Sequence, residues 1–200
     1  MLQPVFLAYE ILWYCLFAVT SRHSVINKGI KESTSFFVPA VIWGLLLEYA
    51  TQEVFLRYHY GEGFLIYIGN VPLHISLAWA SLMYFSYWIV TQKLHFKNSI
   101  KIAVVSSVPL LLLDILAIET TAKIFGFWVW TPESLWFGSP LGNVYGWFWV
   151  ITLYLFFYNF MKRRVRDWKK TLLINLLAVG VEAVILISLL SIWNMAFGNL

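Results

Sequence analysis

An all-α, polytopic integral membrane bundle of about six transmembrane helices is what this 200-residue sequence predicts. Three observations lead there. Apolar residues make up 60% of the chain and charged residues only 12%, against about 45–50% and about 25% in soluble domains. Mean hydropathy is +0.74. The apolar residues also fall into runs of about 20, the length that crosses a hydrocarbon layer, with the charges gathered between them. A soluble α/β enzyme is excluded.

The spans are expected at roughly 2–20, 35–51, 71–91, 101–124, 140–161 and 171–196. The first lacks the basic start of a secretory signal and carries Glu10, so it reads as a retained helix. No soluble stretch is appended, and residues 1–200 read as one membrane-embedded domain. The first connection holds Arg22, Lys28 and Lys31, and the third Lys93, Lys97 and Lys101. The fifth holds Lys162, Arg163, Arg164, Arg166, Lys169 and Lys170, whereas the second and fourth hold only Arg57 and Lys123. Cytoplasmic loops collect basic residues, which puts the termini and the even-numbered connections on the extracytoplasmic side of the cell membrane. The net charge of +4 is therefore a topology signal, and no nucleic acid is expected as a partner. Acidic residues show the reverse bias: Glu48, Glu53, Glu62, Asp114, Glu119 and Glu133 lie in or near the second and fourth connections.

Those two connections, roughly 14–19 residues long, mix aromatic and polar residues, as expected of segments at the interface or folded back into the bundle. Each leads into a similar helix start, Asn70-Val71-Pro72-Leu73 and Gly138-Ser139-Pro140-Leu141. Proline suits a first helical turn, and Asn or Ser just before it can cap. A Trp follows each Pro after seven residues, Trp79 and Trp147, and a carboxylate precedes each by about 25, Glu48 and Asp114. This reads as a degenerate internal repeat of helix, aromatic loop and helix.

Carboxylates inside a membrane cost about 2.5–3.5 kcal/mol unless they face a partner or cavity. Asp114, after Leu110-Leu111-Leu112-Leu113, is the clearest case, as an acid or substrate contact against a helix-packing hydrogen bond. Glu119, five residues on, stands about 140° round an α-helix from it, which allows a site role or a solvated one. Glu48 closes the second span, with Gln52 one turn further on its face. Arg57-Tyr58-His59-Tyr60 reads as an aromatic, positively charged lid or as a headgroup anchor. Asn143 and Trp147 form an i, i+4 pair directed at the same cavity, while Gly138, Gly142 and Gly146 read as small residues for close helix packing. Glu182, on one face with Asn175, reads as a structural polar contact, and Glu10 similarly. His23, His59, His74 and His95 are scattered. With no His box, no paired aspartates for Mg²⁺ and diphosphate, and no nucleophile motif, a di-iron desaturase, a zinc protease and a prenyltransferase are disfavoured, and no metal or cofactor is expected.

Glu48-Tyr49, Arg57-Tyr58-His59-Tyr60, Val71-Pro72-Leu73, Ala78-Trp79, Asp114, Gly126-Phe127-Trp128-Val129-Trp130, Gly138-Ser139-Pro140-Leu141-Gly142-Asn143 and Gly146-Trp147 occur in that order. Over roughly residues 44–150 the chain resembles the membrane carotenoid biosynthesis family that includes the bisanhydrobacterioruberin and carotenoid 1,2-hydratases. The resemblance implies a cofactor-independent hydro-lyase that adds water across the terminal double bond of an acyclic carotenoid, giving a tertiary alcohol. Its partners would be a polyene or isoprenoid substrate and membrane lipid, with a homo-oligomer or association with other carotenoid enzymes left open. His74 after Pro72-Leu73 departs from the family's stretch. Membrane lycopene cyclases carry paired Glu after a Pro-Leu; here Pro72-Leu73 is followed by His74-Ile75 and Pro140-Leu141 by Gly142-Asn143, which lowers the cyclase reading.

The residues suit that chemistry. Hydrating an unactivated alkene needs a carboxylic acid kept protonated in an apolar site, a role open to Asp114, Glu48 and Glu119. Trp128, Trp130 and Trp147 offer π faces to a tertiary cation, and Tyr58 or Asn143 would position water. Arg57, Tyr58, His59, Tyr60, Trp79, Trp128, Trp130, Asn143 and Trp147 are the expected substrate contacts. An isoprenoid cyclase or isomerase, or a non-catalytic carotenoid- or lipid-binding protein, are the alternatives.

Overall fold

The computed structural model describes residues 3–54, 57–131 and 139–197. Glu133 and Gly138 lie outside them. Six helices are long and apolar enough to cross a membrane. In chain order, α1 is Pro4–Lys28 and α2 is Ile30–Tyr49, running into a π-helical turn at Ala50–Val54. Strands β1 (Tyr58–Tyr60), β2 (Tyr67–Ile68) and β3 (Val71–Pro72) follow, then α3 (Leu73–Trp88) with a π turn at Ile89–Lys93. The helix α4 (Ser99–Leu113) passes through a π turn at Asp114–Ile118 into α5 (Glu119–Phe125). Strand β4 (Trp128–Trp130), α6 (Leu141–Arg164) and α7 (Trp168–Phe197) complete the chain.

The helices are longer than the apolar runs, most clearly where α1 and α2 meet. The expected gap over residues 21–34 is a single residue, Gly29, whose φ of +80° is a conformation L side chains avoid. Hydropathy marks the depth of the hydrocarbon; helical hydrogen bonding continues past it through Ser21–Lys28, because nothing there breaks a helix. At α4 the start is capped as polar side chains cap, with Asn98 Oδ1 accepting from the Ile100 and Lys101 amides at 2.9 and 3.1 Å. The two Pro starts differ from expectation: Pro72 and Pro140 themselves occupy the cap position without a side-chain cap bond. Asn70 donates to Glu53 instead.

The spans close into a ring, α1–α3–α4–α6–α7–α2, and α2 and α3 also pack on each other across it. In its most apolar window α3 is 72% buried, against 22% for α1 and 28% for α7. The middle of the bundle is therefore α3 and its partners, and α1 and α7 turn most of their surface to lipid. At the α2–α3 crossing a Cβ on Gly44 would lie 3.2 Å from both Ser76 Cα and Trp79 Cβ. This is a close helix approach, whereas a Cβ on Gly146 would meet Leu190 Cδ2 only at 3.8 Å. Two buried bonds tie α6 to α2, Trp43 Nε1 donating to the Val150 carbonyl at 3.2 Å and Tyr154 Oη to the Phe36 carbonyl at 2.5 Å. Lys162 pairs with Glu32 at the opposite end of the bundle from the strands.

The second and fourth connections do not lie apart. Antiparallel pairing of β1 with β4 sets Tyr58 opposite Trp130, His59 opposite Val129 and Tyr60 opposite Trp128. Gly61 N donates to Phe127 O at 2.9 Å and Thr131 N to Arg57 O at 2.6 Å, extending the ladder at both ends. The residues matched in the sequence repeat also meet, with the Trp79 and Trp147 rings 4.2 Å apart.

Candidate active site

Below the β1–β4 ladder lies a cavity of about 120 Å³. A water needs roughly 10–15 Å³ of such space, so the cavity takes several waters or the end of one hydrocarbon chain. Strand alternation sets what faces it: Tyr58, Tyr60, Trp128 and Trp130 point in, while His59 and Val129 are exposed on the outer face. His59, an expected substrate contact, is thus corrected to an outward position. Arg57, Trp79, Asn143, Trp147, Glu48 and Glu119 all line the cavity.

Glu48, 5% exposed at the end of α2, accepts three hydrogen bonds. Tyr58 Oη and, at 2.7 Å, Tyr60 Oη donate to its Oε2, and Trp79 Nε1 donates to Oε1 at 2.6 Å. Burial, and then the charge of Glu48, hold both tyrosine hydroxyls well above their usual range. They therefore stay O–H donors at any pH a cell meets. Arg57 donates to Asn194 Oδ1 of α7, closing the rim between the strands and that helix.

Asp114 and Glu119 are brought together by the π turn. On a regular α-helix five residues place them about 140° apart, the expectation that left Glu119 open to solvent. The i→i+5 bonding of residues 114–118 seats positions five apart one above the other. Both carboxyls now accept from the same nitrogen, Asn143 Nδ2 donating to Asp114 Oδ2 at 3.1 Å and to Glu119 Oε1 at 3.0 Å. Glu119 Oε2 takes Trp128 Nε1 at 3.1 Å and Trp130 Nε1 at 2.9 Å. Asp114 is fully buried, lies behind Glu119 rather than on the cavity wall, and its Oδ1 has no hydrogen-bond partner among the described residues. The exposed Glu53 and Glu62 stay outside the site.

Among the cavity residues missed by the sequence reading are Tyr9 and Trp13 on α1 and Trp193 and Asn194 on α7. For α1 a signal existed. Phe6, Glu10 and Trp13 are buried at helical spacing on an otherwise lipid-facing helix, and Tyr9 stacks on Phe127 at 4.2 Å. That face clasps the second connection. A Cβ on Gly63 would fall 2.6 Å from the Phe6 ring, and Glu10 accepts from the Leu65 amide at 2.8 Å and from Tyr14 Oη at 2.8 Å. His74 is fully buried beside it, with neither ring nitrogen hydrogen-bonded among the described residues. Glu182 is buried on α7 away from the cavity, its Oε2 without a partner among the described residues.

Among the described residues, six tryptophans line the cavity: Trp13, Trp79, Trp128, Trp130, Trp147 and Trp193. The protein is thus a helical membrane bundle that gathers buried carboxyls and tryptophan faces around a small cavity at one end. The family model described as carotenoid biosynthesis protein matches residues 6–199, and the chain belongs to that family. Its role accordingly lies in carotenoid biosynthesis. No curated protein and no solved structure shows a significant match.

Proposed function

We propose that the protein is a carotenoid hydratase, adding water to the terminal trisubstituted double bond of an acyclic polyene. One observation supports this most: Glu48 and Glu119 both line a cavity walled by tryptophans. Hydration needs a proton delivered to carbon, a tertiary cation held while it lives, and one water admitted. A buried carboxyl supplies the proton, tryptophan faces attract the cation, and a cavity of about 120 Å³ takes the chain end with a water beside it. The remaining polyene extends into the bundle wall or the surrounding lipid. The cavity end of the molecule faces outward in this reading, since the basic residues gather in the connections at the other end.

Expression in a host that makes acyclic carotenes tests the proposal. Wild type should yield hydroxylated pigment, and Glu48→Gln and Asp114→Asn should each strongly reduce it while still reaching the membrane. Unchanged hydroxylated product in both variants would sink the assignment. A ring with no added oxygen would make the protein a cyclase, and bound pigment of unchanged mass a carrier.

A further inference from the structure

The three buried carboxyls of the site, Glu48, Asp114 and Glu119, are not equivalent. Each donor on Glu48 is a neutral O–H or N–H group, and Trp79 Nε1 can only donate. Among the described residues Glu48 shares none of these donors with another carboxyl, and it stands as a lone acceptor. Asp114 and Glu119, by contrast, share one amide nitrogen, and among the described residues Asp114 Oδ1 has no donor. An oxygen buried without a donor carries charge at high cost, and two adjacent buried carboxylates repel. That pair is where a proton is kept. Only Glu119 of the two touches the cavity. Its oxygens face Asn143, Trp128 and Trp130, donors already aimed at the charge that develops when it gives the proton up.

We infer that Glu119 is the catalytic acid, Asp114 the positioning residue that keeps it supplied with a proton, and Glu48 the opposing base; this rests on the hydration reading above. The Glu119 O–H bond breaks and its proton joins the less substituted alkene carbon, taking the π pair and leaving a tertiary cation at the neighbouring carbon. A water oxygen closes on the cation to form the C–O bond, and one water proton passes to Glu48. That proton returns to Glu119 by exchange with water in the cavity. The sum is one alkene and one water to one tertiary alcohol. The π turn is what makes the assignment specific, because across five residues it seats Asp114 behind Glu119.

The test uses the purified full chain in detergent, with lycopene as the acyclic probe, in ordinary and heavy water. Wild type should form the alcohol. Glu119→Gln should form no alcohol and place no deuterium on the terminal carbons, while Glu119→Asp keeps part of the rate. Glu48→Gln should still exchange deuterium into the polyene, since the cation forms and reverts, but gain little oxygen. Asp114→Asn, which still offers Asn143 an oxygen, should lower kcat by about 100-fold with KM within about two-fold. Pigment bound per protein checks that each variant is folded. Deuterium exchange retained in Glu119→Gln and lost in Glu48→Gln reverses the two roles and overturns the inference. Wild-type kcat in Asp114→Asn overturns the part given to Asp114. If wild type itself adds neither water nor deuterium, the hydration reading fails, and the division of roles with it.

Discussion

Single side chains here are fixed by what surrounds them more than by their own neighbours in sequence. Gly44 lies on an ordinary Leu-rich run, and its importance follows only from Ser76 Cα lying 3.2 Å from where its Cβ would be. Gly44→Ala should push α2 from α3 and cost about 1–3 kcal/mol, the usual effect of overpacking. Thermal unfolding in detergent would register this as a lowered midpoint, and an unchanged midpoint would show that the crossing has slack. Gly146→Ala, by the same geometry, should be near neutral. Asp114, Glu48 and Asn143 were legible because a polar group inside a membrane has to have a reason. His59 was misplaced by treating Arg57–Tyr60 as one lid, when the alternation of a short strand sends Tyr58 and Tyr60 one way and His59 the other. Trp193 and Asn194 carried no comparable signal, since an interfacial Trp near a helix end is common in any membrane protein.

At the level of elements, the apolar runs located all six spans, and the acidic, aromatic second and fourth connections were rightly singled out. Their pairing as β1 and β4 could not be read, because a ladder between segments about 70 residues apart leaves no local pattern beyond a three-residue alternation. The π turn at Asp114–Ile118 was equally hidden: helix periodicity assumes 3.6 residues per turn, and one widened turn re-aims everything after it. A π turn accommodates one residue more than the α turn it replaces. Deleting the lipid-exposed Ala117 should therefore leave a regular helix in which the two carboxyls, now four apart, still share a face. The shortened protein should fold and keep its bound pigment, whereas replacing Asn143 by Leu should not preserve the site. Loss of fold and pigment on deleting Ala117 would contradict this account of the turn.

For the molecule as a whole, the ring of helices does two things at once. It leaves α1 and α7 to face lipid, and it closes the ends of α1, α2, α3, α6 and α7 around one cavity under the strand ladder. The sequence repeat pointed to both halves of that arrangement without saying that the halves meet, which they do at Trp79 and Trp147 and at β1 and β4. Most of the charge in the chain is absent from the cavity and sits at the opposite end; the small acidic minority is what the tryptophans surround. The central claim, that this arrangement adds water to a polyene end, is tested most directly by incubating the purified protein with lycopene in water enriched in oxygen-18 and weighing the product. Gain of the mass of one labelled water, with the heavy oxygen on a tertiary carbon, is the predicted result. A product of unchanged mass, cyclic or not, would contradict it.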